Sequence, residues 1–191
     1  MFEDKINSAI AQQQALLDPF FLDQKGTLAE FAAHLAATFQ NGGRLFLAGN
    51  GPFAAIAGLL GQQFLHRQTL ERPPLPAMAL THDAGLATFL AAEDLGSQLF
   101  SRQLRALAGD QDTLLLLAGT MLCPAGREAL ATARQLGCRT ALICAEHAEL
   151  PDPLPELLLQ LPADSLPRLL EGCLFAGHLL CAMVEGELFG I

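Results

Sequence analysis

Residues 44–65 read RLFLAGNGPFAAIAGLLGQQFL, an apolar run that breaks at Gly49-Asn50-Gly51 and continues as a long apolar helical pattern. A buried strand followed by a glycine turn and a helix start is typical of α/β proteins, and it brings backbone N–H groups to one point. Gly49, Asn50 and Gly51 are therefore candidate ligand-binding residues. A turn that only reverses the chain would have the same sequence, so the motif alone does not decide between the two roles.

The composition favours one compact cytoplasmic domain without a nucleic-acid or membrane partner. The chain has 191 residues, 51% of them hydrophobic, which is enough for a sizeable core. Its formal net charge of -9 would repel both nucleic acid and an anionic membrane. The five cysteines show no CxxC pair and are expected to be reduced. We see no signal-peptide pattern and no apolar run close to the roughly 20 residues of a membrane span.

Two amphipathic helices are predicted ahead of the first strand. Their apolar residues recur at helical spacing over residues 2–21 and 28–39, and Gly42-Gly43 ends the second helix. Thr27 and Glu30 have the spacing of a capping box. Because such apolar stripes must be buried, we expect residues 1–41 to serve in oligomerisation, as part of a single domain of residues 1–191.

Strands and helices alternate through the rest of the chain. Further strands are predicted at residues 77–80, 114–117, 139–144 and 156–161, and helices at 85–90, 96–107, 126–136 and 166–188. Almost continuously apolar strands that alternate with helices predict a parallel sheet covered on both faces. Ligands bind such sheets beyond the carboxyl ends of the strands. The loops expected to meet there are residues 49–53, 81–83, 119–123 and 146–147.

Several motifs along the chain resemble one family. They are Gly42-Gly43, Gly49-Asn50-Gly51, residues 71–77 (ERPPLPA), Asp83, residues 102–107 (RQLRAL) and the closing Leu188-Phe189. On these motifs the chain resembles the sugar isomerase (SIS) domain family, in the branch of phosphoheptose isomerase and the DnaA initiator-associating protein. The second of these looks closer, because residues 71–77 and 105–107 read nearly as they do there. The resemblance implies a three-layer α/β/α sandwich with a five-stranded parallel sheet, the flavodoxin-like SIS fold, and a homotetramer.

The resemblance also implies catalytic positions, and not all of them are kept. Phosphoheptose isomerases use a Glu on the helix after the Asn-Gly turn and a His on the last helix. The His matches His178, but the Glu position holds Gln63 and a possible zinc-binding His position holds Leu59. An amide cannot accept a proton as a carboxylate does. Although Glu171 and Glu185 share a helix face with His178, we expect neither zinc nor another cofactor, and a histidine hydrogen-bonded at a subunit interface fits better.

The sugar-phosphate site implied by the resemblance is also altered. The family loop Ser-Thr-Ser-Gly-Asn-Ser corresponds to residues 118–123 (AGTMLC), where only Thr120 keeps a hydroxyl. Pro52 has no N–H to donate, and Phe53 is expected to crowd the pocket. Because a hydrogen bond to a charged group contributes about 1.5 to 3 kcal/mol, only weak sugar-phosphate binding is expected. The remaining candidate ligand-binding residues are Gly49, Asn50, Gly51, Asp83 and Thr120.

Some of these residues have a second interpretation. Asp83 could equally cap the helix that follows it. Cys123 is either a small filler or a reactive thiol at a helix start. A run of charged side chains is expected to form a solvated face: His66, Arg67, Glu71 and Arg72.

Taken alone, the sequence favours a non-catalytic protein that resembles the DnaA initiator-associating protein. Such a protein is a homo-oligomeric regulator of replication initiation with a degenerate sugar-phosphate site. DnaA is then the expected partner and Leu188 and Phe189 its contact, unless both side chains pack the end of the last helix. The alternative is a phosphoheptose isomerase-like enzyme acting on sedoheptulose 7-phosphate, or a sensor that binds a sugar phosphate.

Overall fold

Five strands form one parallel sheet in the order β2-β1-β3-β4-β5. The computed structural model describes residues 2–69, 71–163 and 165–190. The strands are β1 (Leu45–Gly49), β2 (Ala77–Ala79), β3 (Thr113–Leu117), β4 (Arg139–Ala145) and β5 (Leu157–Leu161). The predicted five-stranded parallel sheet is confirmed, with each strand within a few residues of its expected place.

Helices cover both faces of this sheet, which confirms the three-layer α/β/α class. The helices are α1 (Phe2–Ala15), α2 (Phe21–Asp23), α3 (Lys25–Gln40), α4 (Pro52–Leu65), α5 (Ala84–Ala92), α6 (Leu99–Leu107), α7 (Pro124–Gln135) and α8 (Leu166–Phe189). A π-helical segment (Leu16–Phe20) joins α1 to α2, and one 3₁₀ turn (Gly96–Gln98) precedes α6. One core lies under α3, α4 and α8, and the other lies under α6 and α7.

The strands are apolar throughout because their alternate residues enter different cores. In β3, Leu115 and Leu117 pack in the core with α3, α4 and α8, whereas Leu114 and Leu116 pack in the core with α6 and α7. All five residues of β3 are buried. A strand that is buried on both faces has no solvent-facing positions for polar residues, which is why its sequence is apolar without interruption.

Helix α8 lies against the sheet beside α4 and is the longest helix of the fold. By length and composition alone it could cross a membrane, although we predicted no apolar run of that length. Half of its most apolar window is buried inside the fold. Its apolar sequence is therefore explained by packing in the core of a globular protein, and it does not indicate a membrane protein.

The predicted capping box at Thr27 is wrong, whereas the cap considered as an alternative role for Asp83 forms. Helix α3 begins before Thr27, so the capping box does not form, and the Thr27 hydroxyl instead donates to the Gln24 side chain at 3.0 Å. Ser165 stands at the N-cap of α8, but its side chain makes no capping hydrogen bond. Asp83 caps α5, because its carboxylate accepts the Leu86 N–H at 2.8 Å.

Candidate functional site

A cavity of about 280 Å³ lies beyond the carboxyl ends of β1 and β3. The turn after β1 forms one side of it, and the loop at residues 118–123 forms the other, as far as Gly126 at the start of α7. Nearby, the Thr81 hydroxyl donates to the Ala54 carbonyl at 3.3 Å. The predicted meeting of loops at this edge of the sheet is therefore seen for the first three segments.

The fourth segment lies beside the same loop. The Ala145 N–H donates to the Gly119 carbonyl at 3.4 Å, and the Glu149 N–H donates to the Thr120 carbonyl at 3.3 Å. Glu146 is exposed and its N–H bonds to Leu161 of the neighbouring strand. The loop after β4 thus supports the cavity from outside, while its own side chains do not line it.

The start of α4 has few N–H groups left for a ligand. Gly51, the N-cap, has a φ of 56°, a conformation that favours glycine. Pro52 has no N–H, and the N–H groups of Phe53 and Ala54 bond to the carbonyls of Asn50 and Gly51. The predicted weakness of this turn as an anion site agrees with this geometry.

The loop after β3 has more free N–H groups than the turn, where, among the described residues, those of Asn50 and Gly51 have no acceptor. Within the part of the chain that the structure describes, the backbone N–H groups of residues 120–123 have no hydrogen-bond acceptor. The Cys123 sulfur accepts the Gly126 N–H at 3.3 Å and so caps α7. Successive free amides next to a helix N-terminus attract an anion. The cavity therefore keeps backbone donors although Thr120 is the one residue of this loop with a hydroxyl side chain.

Phe53 forms part of the cavity wall. Its side chain is only 6% exposed, and its ring lies beside Gly119, where an added Cβ would be 3.5 Å from the ring. Because about 280 Å³ of space remains, the ring narrows the cavity without filling it.

A second cluster lies near the carboxyl end of α4. The Gln63 Nε2 and the His178 Nε2 are 2.9 Å apart, which joins α4 to α8. The Gln63 Oε1 is buried and has no hydrogen-bond partner among the described residues, so a rotated amide would instead accept a hydrogen from the ring nitrogen. The imidazole is the group of this pair that can exchange a proton. An open groove of about 390 Å³ runs beside the pair, lined by Leu59, Gln62, Gln63, Leu65, His66 and Arg67.

The cavity and the Gln63–His178 pair are well separated. Gln63 follows Phe53 by ten positions along α4, which corresponds to about 15 Å at the rise of an α-helix. The structure therefore brings the predicted residues together in two groups. Asn50, Gly51 and Thr120 line the cavity, whereas Gln63 and His178 meet elsewhere.

The residues near His178 do not fit a zinc site. Leu59 and Gln63 supply no anionic or imidazole ligand. Glu171 and Glu185 are engaged by Arg168 and Arg72, each at 2.7 Å. Among residues 2–69, 71–163 and 165–190, no three His, Cys, Asp or Glu side chains gather as a metal-binding group. That the protein works without zinc stays a prediction.

The charged residues after α4 do not all lie on a solvated face. Arg67 pairs with Glu71 at the surface, as expected. Arg72 is 7% exposed and pairs with Glu185 inside the protein, so the prediction was wrong for this residue. The sequence does contain a signal for this pair, since Glu185 is an acidic residue on the apolar face of a core helix.

Leu188 and Phe189 lie at the end of α8. Both side chains are partly buried and pack against the core formed with α3 and α4. This is the packing role that we considered beside an exposed contact patch. Binding to DnaA through this pair stays a prediction.

This arrangement of sheet, cavity and loops belongs to a known class. The SIS domain family matches residues 10–144, and the chain belongs to that family. The predicted family is thereby confirmed.

Within this class the chain is similar to phosphoheptose isomerases. It is 34% identical to the phosphoheptose isomerase of Trichlorobacter lovleyi, over 97% of this chain and 97% of that relative. It is 33% identical to that of Solidesulfovibrio magneticus, over 96% and 90%. A solved phosphoheptose isomerase from Francisella tularensis superposes with a TM-score of 0.86 at 26% identity, covering 96% of this chain and 98% of that one.

These relatives correct the functional prediction. We expected a non-catalytic regulator of replication initiation, closer to the DnaA initiator-associating protein. Relatives that match almost the whole chain at 33% and 34% identity are named as isomerases instead, so that prediction was wrong. The findings support the alternative, a phosphoheptose isomerase-like protein.

Proposed function

We propose that this chain is a cytoplasmic sugar-phosphate isomerase of the phosphoheptose type, which converts sedoheptulose 7-phosphate into its aldose isomers. The observation that carries the proposal is the cavity beyond β1 and β3, with its free N–H groups at residues 120–123. An anionic phosphate would satisfy these donors, and the Thr120 hydroxyl adds another. The full-length similarity to phosphoheptose isomerases supports the same substrate class.

His178 is the proposed proton carrier of the reaction. Conversion of a ketose to an aldose moves a proton between two neighbouring carbons, so one group must accept the proton and return it. A neutral imidazole can do both near neutral pH. Gln63, 2.9 Å away, holds the ring in place but cannot replace it as a base. We therefore expect a slow enzyme.

The reaction needs two copies of the chain, because the phosphate cavity and the proton carrier His178 are too far apart within a single copy. The separation of about 15 Å along α4 exceeds the extended carbon chain between C2 and the phosphate of a heptulose phosphate. Helix α1 has no buried residue and exposes Phe2, Ile6 and Ile10. These apolar side chains support association of copies, and we propose the homotetramer.

Replacing Thr120 by glutamate tests the phosphate cavity. The residue is exposed, so the variant is expected to fold, but its carboxylate would repel a phosphate. Calorimetric titration with sedoheptulose 7-phosphate should show at least tenfold weaker binding than the wild type. Gln135→Glu, an exposed change at the far end of α7, is the control and should bind normally. Equal affinity in both variants would place the phosphate elsewhere.

Mixing two inactive variants tests the shared site. Thr120→Glu would disable the cavity and His178→Asn the proton carrier, so each homo-oligomer should be inactive. After the two are mixed under conditions that exchange subunits, some sites would combine an intact cavity with an intact His178. Isomerase activity should then return. If native mass spectrometry shows mixed oligomers and activity stays absent, both groups must act within one chain.

A second candidate function is a sensor that binds the sugar phosphate without converting it. Gln63 favours it, because an amide holds His178 where a carboxylate base is expected from the family. Saturable binding of sedoheptulose 7-phosphate without product would support the sensor over the enzyme.

A further inference from the structure

We propose that Arg72 and Glu185 form a buried clamp that positions Gln63 against His178, so that Arg72 is a positioning residue for the proton-carrier site. The inference rests on the proposed function for its catalytic consequence, but its structural core can be tested without any substrate. Three sets of contacts carry it.

The first set fixes the end of α4. The last carbonyl groups of a helix lack partners within the helix. Here Arg72 supplies them: its Nη2 donates to the Gln63 carbonyl and its Nη1 to the Phe64 carbonyl, both at 2.8 Å. Arg72 therefore holds Gln63, the residue that faces His178, through the backbone oxygen of Gln63.

The second set fixes the same guanidinium to α8. Its Nε donates to the Glu185 Oε1 at 2.7 Å, and the two side chains are 1% and 8% exposed. Glu185 follows His178 by seven residues, which is two helical turns, so both side chains lie on the same face of α8. One planar group thus connects the backbone of Gln63 to the helix face that carries His178.

The third set comes from Gln68, in the segment between α4 and Arg72. Its side-chain amide donates to the His178 carbonyl at 3.0 Å, and its N–H lies 3.4 Å from the Glu185 Oε1. The Cys181 thiol also faces this oxygen, at 3.8 Å. Burial, together with the Glu185 carboxylate, raises the pKa of Cys181 to about 12, so the thiol stays protonated and donates.

Stability alone does not explain such a pair. Apolar side chains of similar volume often replace a buried ion pair without loss of stability. They could not cap the carbonyls of α4 and at the same time fix the register of α4 against α8. Arg72 performs both tasks because its donors diverge in one plane, which a lysine ammonium cannot reproduce.

Arg72→Lys tests the clamp. The side-chain ¹⁵N resonances of His178 in the ligand-free oligomer, assigned by their loss in His178→Asn, report which ring nitrogen carries hydrogen. In Arg72→Lys these resonances should shift toward a mixture of both tautomers, because Gln63 is released. The kcat should fall about tenfold with KM within twofold of the wild type. The control is Arg168→Lys, which alters the partly buried pair of Arg168 with Glu171 on α8. It should change neither the His178 resonances nor the kinetic constants.

The outcomes separate the clamp from the proposed function. Unchanged His178 resonances in a folded Arg72→Lys protein would overturn the clamp. If the wild type shows no turnover but the resonances respond, the clamp stands and the isomerase proposal fails. Should Arg72→Lys not fold, Glu185→Gln keeps an acceptor for Nε and removes the charge. Its His178 resonances should move in the same direction, and their constancy would equally overturn the clamp.

Discussion

Gln63→Glu should raise the rate of sedoheptulose 7-phosphate isomerisation by about 100-fold, since a positioned acid–base group typically contributes 10² to 10⁴. The substitution keeps the size of the side chain and places a carboxylate where the amide now lies 2.9 Å from His178. Two groups able to exchange protons would then face the substrate, as in the family pattern. The measurement is kcat/KM for formation of the aldose product.

The neighbouring residue provides the control for this change. Gln62 lines the same groove but is exposed, and among the described residues it is Gln63 whose side chain bonds to the His178 ring. Gln62→Glu adds the same charge one position away and should leave the rate within about twofold of the wild type. If Gln63→Glu is no faster than Gln62→Glu, the Gln63–His178 pair is not where the proton moves.

Gly177→Ala should lower the free energy of unfolding by about 1 to 3 kcal/mol, the usual effect of an added methyl group in a packed core. Gly177 lies where α8 crosses α4, and an added Cβ would overlap the Cγ and both Cδ atoms of Leu60. To make room, either the buried Leu60 side chain must adopt another rotamer or the two helices must separate. Because His178 is the next residue, its contact with Gln63 should lengthen as well, and activity should fall with stability.

Urea unfolding measures this effect, with Gly26→Ala as the matched control. Gly26 lies in α3 with nothing within 4 Å of its added Cβ. The same substitution there should stabilise the protein by about 0.4 to 1 kcal/mol, because alanine has less freedom to lose on folding. A Gly177→Ala variant as stable as the wild type would show that α4 and α8 pack less closely than described.

The fold followed from local sequence patterns. Continuous apolar runs such as residues 114–117 can only be buried on both faces, and the Gly49-Asn50-Gly51 turn marks where a strand passes into a helix. Both signals depend on neighbours in the chain. The cavity could be predicted for the same reason, because the carboxyl ends of parallel strands must share one edge of the sheet.

The remaining features depend on contacts between distant residues, which a sequence pattern does not contain. From the sequence, Arg72 is expected to be a surface charge. The structure places Glu185, which is 113 positions away, beside it. The loop at residues 118–123 looked poor in donors because only its hydroxyl side chains were counted, whereas its free backbone N–H groups appear only in the structure. That undercount, together with Gln63 in the place of the family's catalytic Glu, led to the non-catalytic prediction that the relatives contradict.

The proposed reaction moves a proton on a sugar phosphate. It is tested most directly by incubating the wild-type oligomer with saturating sedoheptulose 7-phosphate in D₂O and following the sugar by NMR. We expect deuterium to replace hydrogen at C1 of the ketose and an aldose phosphate to form, both faster than without protein. Saturable binding with neither deuterium incorporation nor aldose would contradict it.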